Sequence, residues 1–76
     1  MSAARIDITR EVCPMTYVRV KLALETLDDG GELEVLLRGD EPLRNVPRSA
    51  KEEGHEVLEL TALGDGTSRL RLRARW

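Results

Sequence analysis

Apolar residues recur along the chain with two periods, and the change of period marks the predicted elements. Apolar and polar side chains alternate over residues 5–9, which predicts a half-buried strand. Residues 14–27 follow a helical period instead. The main apolar stripe of this helix consists of Tyr17, Val20, Leu24 and Leu27, with Ala23 beside it. The helix is predicted to end in the Asp-Asp-Gly-Gly run of residues 28–31, because glycine readily adopts the left-handed conformation after a helix.

Alternation returns in the second half of the chain and predicts three further strands, over residues 32–38, 56–63 and 68–75. The Asp65-Gly66 pair between the last two strands favours a tight hairpin. The side chains predicted to face the core are Leu33, Val35 and Leu37 in the first of these strands, Leu58, Leu60 and Ala62 in the next, and Leu70, Leu72 and Ala74 in the last.

The segment between the second and third strands allows two interpretations. Residues 39–42 predict a turn, and residues 43–53 predict a short helix. This helix either begins near Pro42 and bends at Pro47, or is capped by Asn45 with Pro47 in its first turn, where proline is tolerated. We favour the second interpretation.

The predicted order of elements is therefore β-α-β-α-β-β. Each strand has one apolar and one charged face, so both helices should cover the same face of the sheet. The first β-α-β unit should be a right-handed crossover with parallel strands, either adjacent or separated by one strand. The final hairpin is antiparallel. The expected fold class is α+β, a two-layer α/β sandwich with a mixed four-stranded sheet, formed by one domain over residues 1–76.

Composition limits the classes of function. The 76 residues contain no phenylalanine and one tryptophan, so the core must be aliphatic. Twelve basic and fourteen acidic side chains leave a formal charge of −2, which argues against a protein that mainly binds phosphate backbones. The sequence starts without an apolar run, so we expect neither a signal peptide nor a membrane span, and a cytoplasmic location.

Four arginines of the last predicted strand alternate on its polar face and could suggest RNA binding. Acidic residues of neighbouring strands share this face, however, and no aromatic side chain is interleaved for base stacking. Cross-strand ion pairing is the better explanation. The residues concerned are Arg69, Arg71, Arg73 and Arg75, with Glu32, Glu34, Glu59 and Asp7 as the acidic partners.

Cys13 is the one cysteine of the chain, and it stands where the first predicted strand gives way to the first helix. Pro14 suits the first helical position, since a backbone N–H there would have no partner. Cys13 then becomes the N-cap, where free N–H groups and the helix dipole lower the pKa of a thiol. Taken alone, a lone cysteine is more often a buried structural residue. The absence of a Cys-x-x-Cys pair argues against a dithiol redox enzyme, and because the sequence does not end in Gly-Gly we do not expect a thiocarboxylate carrier.

Five short motifs, in this order, carry a resemblance to a known family. They are Ile6-Asp7, Cys13-Pro14-Met15, Leu33-Glu34-Val35, the pair Glu41-Pro42 and Asn45-Val46-Pro47, and Gly54-His55. On these motifs the chain resembles the TusA/SirA family of small sulfur-carrier proteins, and the resemblance extends over about residues 6–75.

This resemblance implies a two-layer sandwich in which Cys13 accepts sulfane sulfur as a persulfide and passes it to a partner protein. It implies a desulfurase- or rhodanese-like donor and an acceptor protein, in tRNA thiolation, cofactor biosynthesis or sulfur oxidation. We expect a monomer that needs no metal, cofactor or second cysteine, and no direct contact with nucleic acid or membrane.

The sequence departs from the family pattern twice. The family's Cys-Pro-x-Pro motif ends here in Met15-Thr16, and Thr9-Arg10-Glu11 replaces the Arg-Gly-Leu that precedes it. An alternative function is therefore a non-catalytic interaction module that kept the fold and lost sulfur transfer.

The predicted site contains the nucleophile Cys13 and the residues around it. Pro14, Met15 and Thr16 shape the cap, and Thr16 retains a backbone N–H that the family proline lacks. Three cations near the motif could attract anionic donors and an acidic partner. These are Arg10, Arg19 and Lys21.

Met15, Val18 and Leu22 form a second apolar stripe on the first helix. This stripe either packs on the other helix or forms an exposed landing for a partner beside Cys13. His55, the one histidine, is expected to be structural, and Trp76 is expected to be frayed.

Overall fold

The structure is a computed structural model that describes residues 3–10 and 15–76. Its six elements follow the predicted order: β1 (Ala3–Asp7), α1 (Met15–Glu25), β2 (Glu32–Arg38), α2 (Asp40–Glu52), β3 (Glu56–Ala62) and β4 (Thr67–Arg73). The bounds of β2 agree with the prediction, whereas β1 begins and ends two residues earlier.

The four strands form one sheet in the order β1-β2-β4-β3, in which β1 pairs with β2 in parallel and the other two pairings are antiparallel. Ile6 lies opposite Val35, which in turn lies opposite Leu70. The mixed sheet and the β3–β4 hairpin are thereby confirmed. Asp65 in the hairpin accepts hydrogen bonds from the backbone and the hydroxyl of Thr67.

The core lies between this sheet and the two helices and is aliphatic, as composition predicted. α1 contributes Val20 and Leu24, and α2 contributes Val46 and Ala50, so both helices cover the same face. The inward residues predicted for β2 and β4 are all buried. They are Leu33, Val35, Leu37, Leu70, Leu72 and Ala74.

Helix α2 begins at Asp40, so the turn predicted at residues 39–42 is wrong. Gly39 precedes the helix with a φ of 92°, a left-handed conformation that suits glycine and turns the chain sharply out of β2. Asp40 and Glu41 occupy the first turn, where the helix dipole favours negative charge. The helix starts here because these acidic residues stabilise the amino end.

Pro47 lies inside α2 rather than in its first turn, and the preferred cap at Asn45 is wrong. A proline at this position removes one intrahelical hydrogen bond. Burial of Val46 and Ala50 against the sheet offsets that loss. Asn45 sits within the helix and accepts a hydrogen bond from Arg48 at 3.2 Å.

The prediction for β3 is wrong at Leu58, whereas Leu60 and Ala62 lie on the predicted face, opposite Leu70 and Ser68, without being buried. The register against β4 shifts between Val57 and Glu59, which leaves Leu58 as the extra residue of a β-bulge. Val57 therefore packs against the core in place of Leu58. Leu60 is 44% exposed and Ala62 is also exposed, because the helices do not cover this end of the edge strand β3.

The other face of the sheet carries charged side chains in alternating rows, which confirms cross-strand ion pairing. The shortest contacts join Glu32 to Arg71 at 2.6 Å, Glu56 to Arg75 at 2.6 Å and Glu34 to Arg5 at 2.7 Å. Asp7 instead accepts two hydrogen bonds from Thr9.

Glu32 makes this face sensitive to acid. Its hydrogen bond with Arg71 holds the pKa of the carboxyl below its usual range. The folded state favours the charged form, so this contribution is complete above the unfolded pKa and is lost as pH falls through the lower folded pKa. We expect Glu32→Gln to weaken the fall of the thermal midpoint on acidification, by a small amount because the pair is exposed. The control is Glu52→Gln, at an exposed position of α2. If acid lowered the thermal midpoint of Glu32→Gln as much as that of wild type, the contribution assigned to Glu32 would be contradicted.

Candidate functional site

The carboxyl ends of the two parallel strands, β1 and β2, lie at the same edge of the sheet. The backbone N–H of Ile8, just after β1, donates to the Leu36 carbonyl at 3.0 Å. The β3–β4 hairpin reaches the same edge, where Gly39 N–H donates to the Gly66 carbonyl at 3.4 Å. Ligand sites in sheets of this kind favour the carboxyl ends of parallel strands. The chain leaves β1 at this edge.

Cys13 and Pro14 belong to this passage but lie outside the described residues. Their predicted positions as N-cap and first helical residue therefore stay predictions. The structure gives the two flanks: Arg10 is exposed after β1, and α1 begins at Met15. The first N–H groups of a helix have no partner within it, and those of α1 directly follow the segment that carries the thiol in the sequence.

Thr16 occupies the second position of α1 and its side chain is 2% exposed. It therefore belongs to the buried side of the helix, as do Val20 and Leu24. This burial fixes the first turn of α1 against the rest of the protein. Cys13 lies outside the described residues, so the part of the Thr16 N–H in the cap stays a prediction.

Positive charge lies at the same edge. The pKa of Asp7 is lowered chiefly by hydrogen bonds from Thr9, at 2.7 Å and 2.9 Å, and further by the charges of Arg10 and Arg38. Arg38 also lowers the pKa of Asp65 in the hairpin, after the hydrogen bonds from Thr67. Arg10 and Arg38 thus both act on groups at the carboxyl edge of the parallel strands. The role predicted for Arg10 beside Cys13 stays a prediction.

The other two predicted cations lie on α1, where both Arg19 and Lys21 are exposed. The ammonium nitrogen of Lys21 is 3.7 Å from a carboxylate oxygen of Glu53 at the end of α2. Lys21 therefore contributes to the contact between the helices, whereas Arg10 lies beside the segment that carries Cys13.

The second apolar stripe of α1 faces solvent. Val18 is 41% exposed and Leu22 is 56% exposed, so packing on the other helix is wrong for these two residues. Tyr17 and Lys21 instead make the contacts with the end of α2. Val18 and Leu22 are thus exposed, and their use as a landing for a partner stays a prediction, as it does for Met15, which follows the same spacing in the sequence.

Tyr17 belongs to the predicted core stripe of α1, and the structure adds a polar contact that the sequence does not reveal. Its ring is half-buried, and its hydroxyl donates to Glu53 Oε1 at 3.0 Å. Burial, followed by the neighbouring Glu53 carboxylate, raises the pKa of the tyrosine hydroxyl. Tyr17 is thus a neutral donor at neutral pH. No spacing rule links residues 36 positions apart, so only the fold shows this contact.

His55 and Trp76 lie at the opposite edge of the sheet, where Glu56 begins β3. His55 is 4% exposed, and its Nδ1 accepts the Arg75 N–H at 3.0 Å. The indole of Trp76 packs edge-on against the His55 ring, with the ring centroids 4.7 Å apart. Its Nε1–H donates to the Leu27 carbonyl at 2.9 Å. The prediction that Trp76 is frayed is therefore wrong, and His55 anchors the end of the described chain.

Within residues 3–10 and 15–76, no three side chains of the metal-binding types come together. In the same part of the chain, no helix has the length and apolar character needed to cross a membrane.

The fold has a close counterpart among solved structures. The crystal structure of a SirA-like protein from Desulfitobacterium hafniense superposes with a TM-score of 0.83 at 28% identity, covering 96% of this chain and 99% of that chain. The chain is therefore a SirA-like α+β protein with two helices on one face of a mixed sheet. The family described as Sulfurtransferase TusA matches residues 4–74, and the chain belongs to this family.

Relatives from distant organisms agree with this assignment. An Archaeoglobus fulgidus protein is 43% identical over 60 residues, 79% of this chain and 68% of the relative. A Thermotoga maritima protein is 37% identical over 59 residues, 78% of this chain and 75% of the relative. Both carry the name "Putative sulfur carrier protein". The names of the family and of the relatives indicate a sulfur carrier.

Proposed function

We propose that this protein carries sulfur on Cys13 as a persulfide and relays it from a donor protein to an acceptor protein. The observation that carries the proposal is the start of α1 at Met15, two residues after Cys13 in the segment that follows β1, and β1 ends at the carboxyl edge of the parallel strands. Unpaired N–H groups and the positive end of the helix dipole favour a thiolate there. The exposed Arg10 adds positive charge at the same edge.

The transfer needs one thiolate and no external oxidant or reductant. The Cys13 thiolate attacks the outer sulfur of a donor persulfide, R–S–SH, so that a new S–S bond forms as the donor's S–S bond breaks. The donor leaves as the thiolate R–S⁻, and Cys13 becomes Cys–S–SH. An acceptor thiolate then attacks the outer sulfur of this persulfide and releases the Cys13 thiolate. Atoms and charge balance in both steps.

The exposed stripe at Val18 and Leu22 is the proposed contact for both partners. It lies on the face of α1 directed away from the core, and it starts one turn after the segment that bears Cys13. A donor of the desulfurase or rhodanese type, or an acceptor, could cover this stripe while its own sulfur reaches the thiol. We further propose that the chain acts as a single-domain monomer in the cytoplasm.

Mass spectrometry tests the proposal. The purified protein is incubated with a persulfidated donor or with polysulfide, and the mass of the intact chain is measured before and after treatment with a reductant. We expect the mass of the chain to increase by that of one sulfur atom and the reductant to reverse this increase. A chain that stays unmodified with a competent donor would instead support the non-catalytic interaction module.

The backbone donor at Thr16 gives a further prediction. Thr16→Pro removes this N–H, and we expect the pKa of Cys13 to rise by well under about one unit or to stay level. The pH dependence of thiol alkylation measures it. Thr16→Val is the matched control, because it keeps the N–H and the buried shape while removing the hydroxyl. A clear fall of the thiol pKa in Thr16→Pro would show that the cap geometry is wrong.

The exposed stripe gives another prediction. Leu22→Asp places a charge where a partner would bury an apolar side chain, and we expect sulfur transfer from a protein donor to slow about tenfold or more. Transfer from polysulfide should be unchanged, because this small donor needs no docking surface. Leu60→Asp, on the exposed part of β3, is the control. Equal slowing in both variants, or none in Leu22→Asp, would exclude the stripe as the docking surface.

A further inference from the structure

The face of the sheet opposite the helices carries its charges in rows that cross the strands. One row alternates in sign from strand to strand and consists of Arg5, Glu34, Arg71 and Glu59. The neighbouring row also alternates and consists of Glu32, Arg73 and Glu56. Each arginine in these two rows therefore has a carboxylate directly opposite it, and this half of the face is compensated internally.

The alternation breaks in the other half of this face, toward the carboxyl ends of the parallel strands. Arg69 lies opposite Leu36 of β2 and Thr61 of β3, neither of which is charged. Arg38, the last residue of β2, lies opposite the uncharged Thr67. The register thus gives neither arginine a carboxylate across the sheet. We call Leu36, Arg38, Thr61 and Arg69 the arginine patch.

Arg69 is incompletely paired within its own chain. A carboxylate oxygen of Glu59 lies 3.9 Å from its Nη2, but the same oxygen is closer to Arg71, at 3.6 Å. The Nε of Arg69 is buried and has no hydrogen-bond partner. The side chain as a whole is 39% exposed, so a ligand can reach it. A guanidinium group has five N–H donors, and most of those of Arg69 are left without an acceptor.

Arg38 also keeps its donors for an outside group. It is exposed and, after the hydrogen bonds from Thr9 and Thr67, further lowers the pKa of Asp7 and of Asp65. Both carboxylates accept hydrogen bonds from those threonines. In the part of the chain that the structure describes, neither forms an ion pair with Arg38 within 4 Å. The two aspartates flank the patch without covering it.

The side chain between the two arginines is apolar. Leu36 is half-buried, lies directly opposite Arg69 and precedes Arg38 by two residues on the same face of β2. Arginine around an apolar centre is typical of protein interfaces. A guanidinium group matches the two oxygens of a carboxylate. A nucleic-acid backbone fits less well, because two cations are few for a polyanion and the flanking Asp7 and Asp65 repel it.

We propose that the arginine patch is a docking surface for an acidic segment of a partner protein. Glutamate or aspartate side chains of the partner pair with Arg69 and Arg38, and an apolar side chain between them covers Leu36. The sheet separates this patch from the exposed stripe of α1, so a partner bound here leaves that stripe free. The interaction needs no sulfur chemistry at Cys13 and is independent of the proposed function.

Nuclear magnetic resonance tests the proposal with the full chain. The backbone amide signals are followed while an acetylated Glu-Leu-Glu-Leu-Glu peptide is added. We expect the signals of the arginine patch to shift and those of Arg73 and Glu56 to stay in place. Salt at about 0.5 M should weaken the binding, because it screens exposed charges. Arg69→Gln should weaken it about fivefold, and a peptide with lysine in place of each glutamate should cause no shifts.

Two variants control for net charge. Arg73→Gln removes a cation from a compensated row of the same face, and Arg44→Gln removes one from an exposed position of α2. Both should bind the acidic peptide as wild type does. Wild-type affinity in Arg69→Gln, equal weakening in either control, or no shifts at all would overturn the proposal. Tighter binding of a single-stranded DNA oligonucleotide to the same residues would also overturn it.

Discussion

Replacement of Cys13 by serine is expected to abolish sulfur uptake completely. The chain contains one cysteine, so no second thiol can accept the sulfane sulfur. A serine hydroxyl stays protonated at neutral pH, and the helix end that favours a thiolate cannot convert it into a comparable nucleophile. The measurement is the intact mass after exposure to a persulfidated donor, which should match the untreated variant.

A folding control is needed for this result. Cys13→Ser should give the same circular dichroism spectrum as wild type and a similar thermal midpoint, because serine is also a good N-cap residue. Wild-type protein alkylated with iodoacetamide should fail to accept sulfur in the same way. A reductant-sensitive sulfur adduct on the serine variant would show that the sulfur resides elsewhere and would contradict the assignment of Cys13.

Leu70→Ala is expected to have the largest effect on stability. Leu70 is fully buried in β4, a central strand, directly opposite Val35 of β2. Truncation of a buried leucine costs about 2–5 kcal/mol, because the lost apolar contacts are joined by a cavity that the neighbours fill only in part. A domain of this size has a total unfolding free energy of about 4–11 kcal/mol. The variant should therefore lose a large part of its stability.

Urea unfolding followed by circular dichroism measures this loss as a lower midpoint with an unchanged slope. Leu22→Ala is the matched control: the same chemical change at a side chain that is 56% exposed should alter the unfolding free energy by about 0.5 kcal/mol or less. Equal losses in the two variants would contradict the placement of Leu70 in the core and of Leu22 on the surface.

The central strands were predictable because their local pattern and their environment agree. In β2 the alternating pattern predicted both the bounds of the strand and its inward face. All three predicted inward residues are buried in the structure, namely Leu33, Val35 and Leu37. β2 and β4 have neighbours on both sides, which stabilises a regular register. A period of two is then sufficient to assign the faces.

The errors arose where local signals compete with packing or concern an edge. Asn45 and Pro47 are good start signals for a helix, yet Gly39 and the acidic first turn start α2 earlier, and burial of Val46 offsets the internal proline. In β3 the alternation continues through Leu58, but an edge strand tolerates a bulge that no sequence period records.

The sequence by itself determined the order of the elements, the aliphatic core of the central strands and the lone thiol between a strand and a helix, because these depend on residue types and short periods. Only the tertiary structure decided that Val18 and Leu22 face solvent, that Tyr17 is held by Glu53 and that Trp76 packs on His55. The physical reason is distance along the chain. Contacts between residues tens of positions apart depend on how the helices and the sheet pack, and no local pattern encodes that packing.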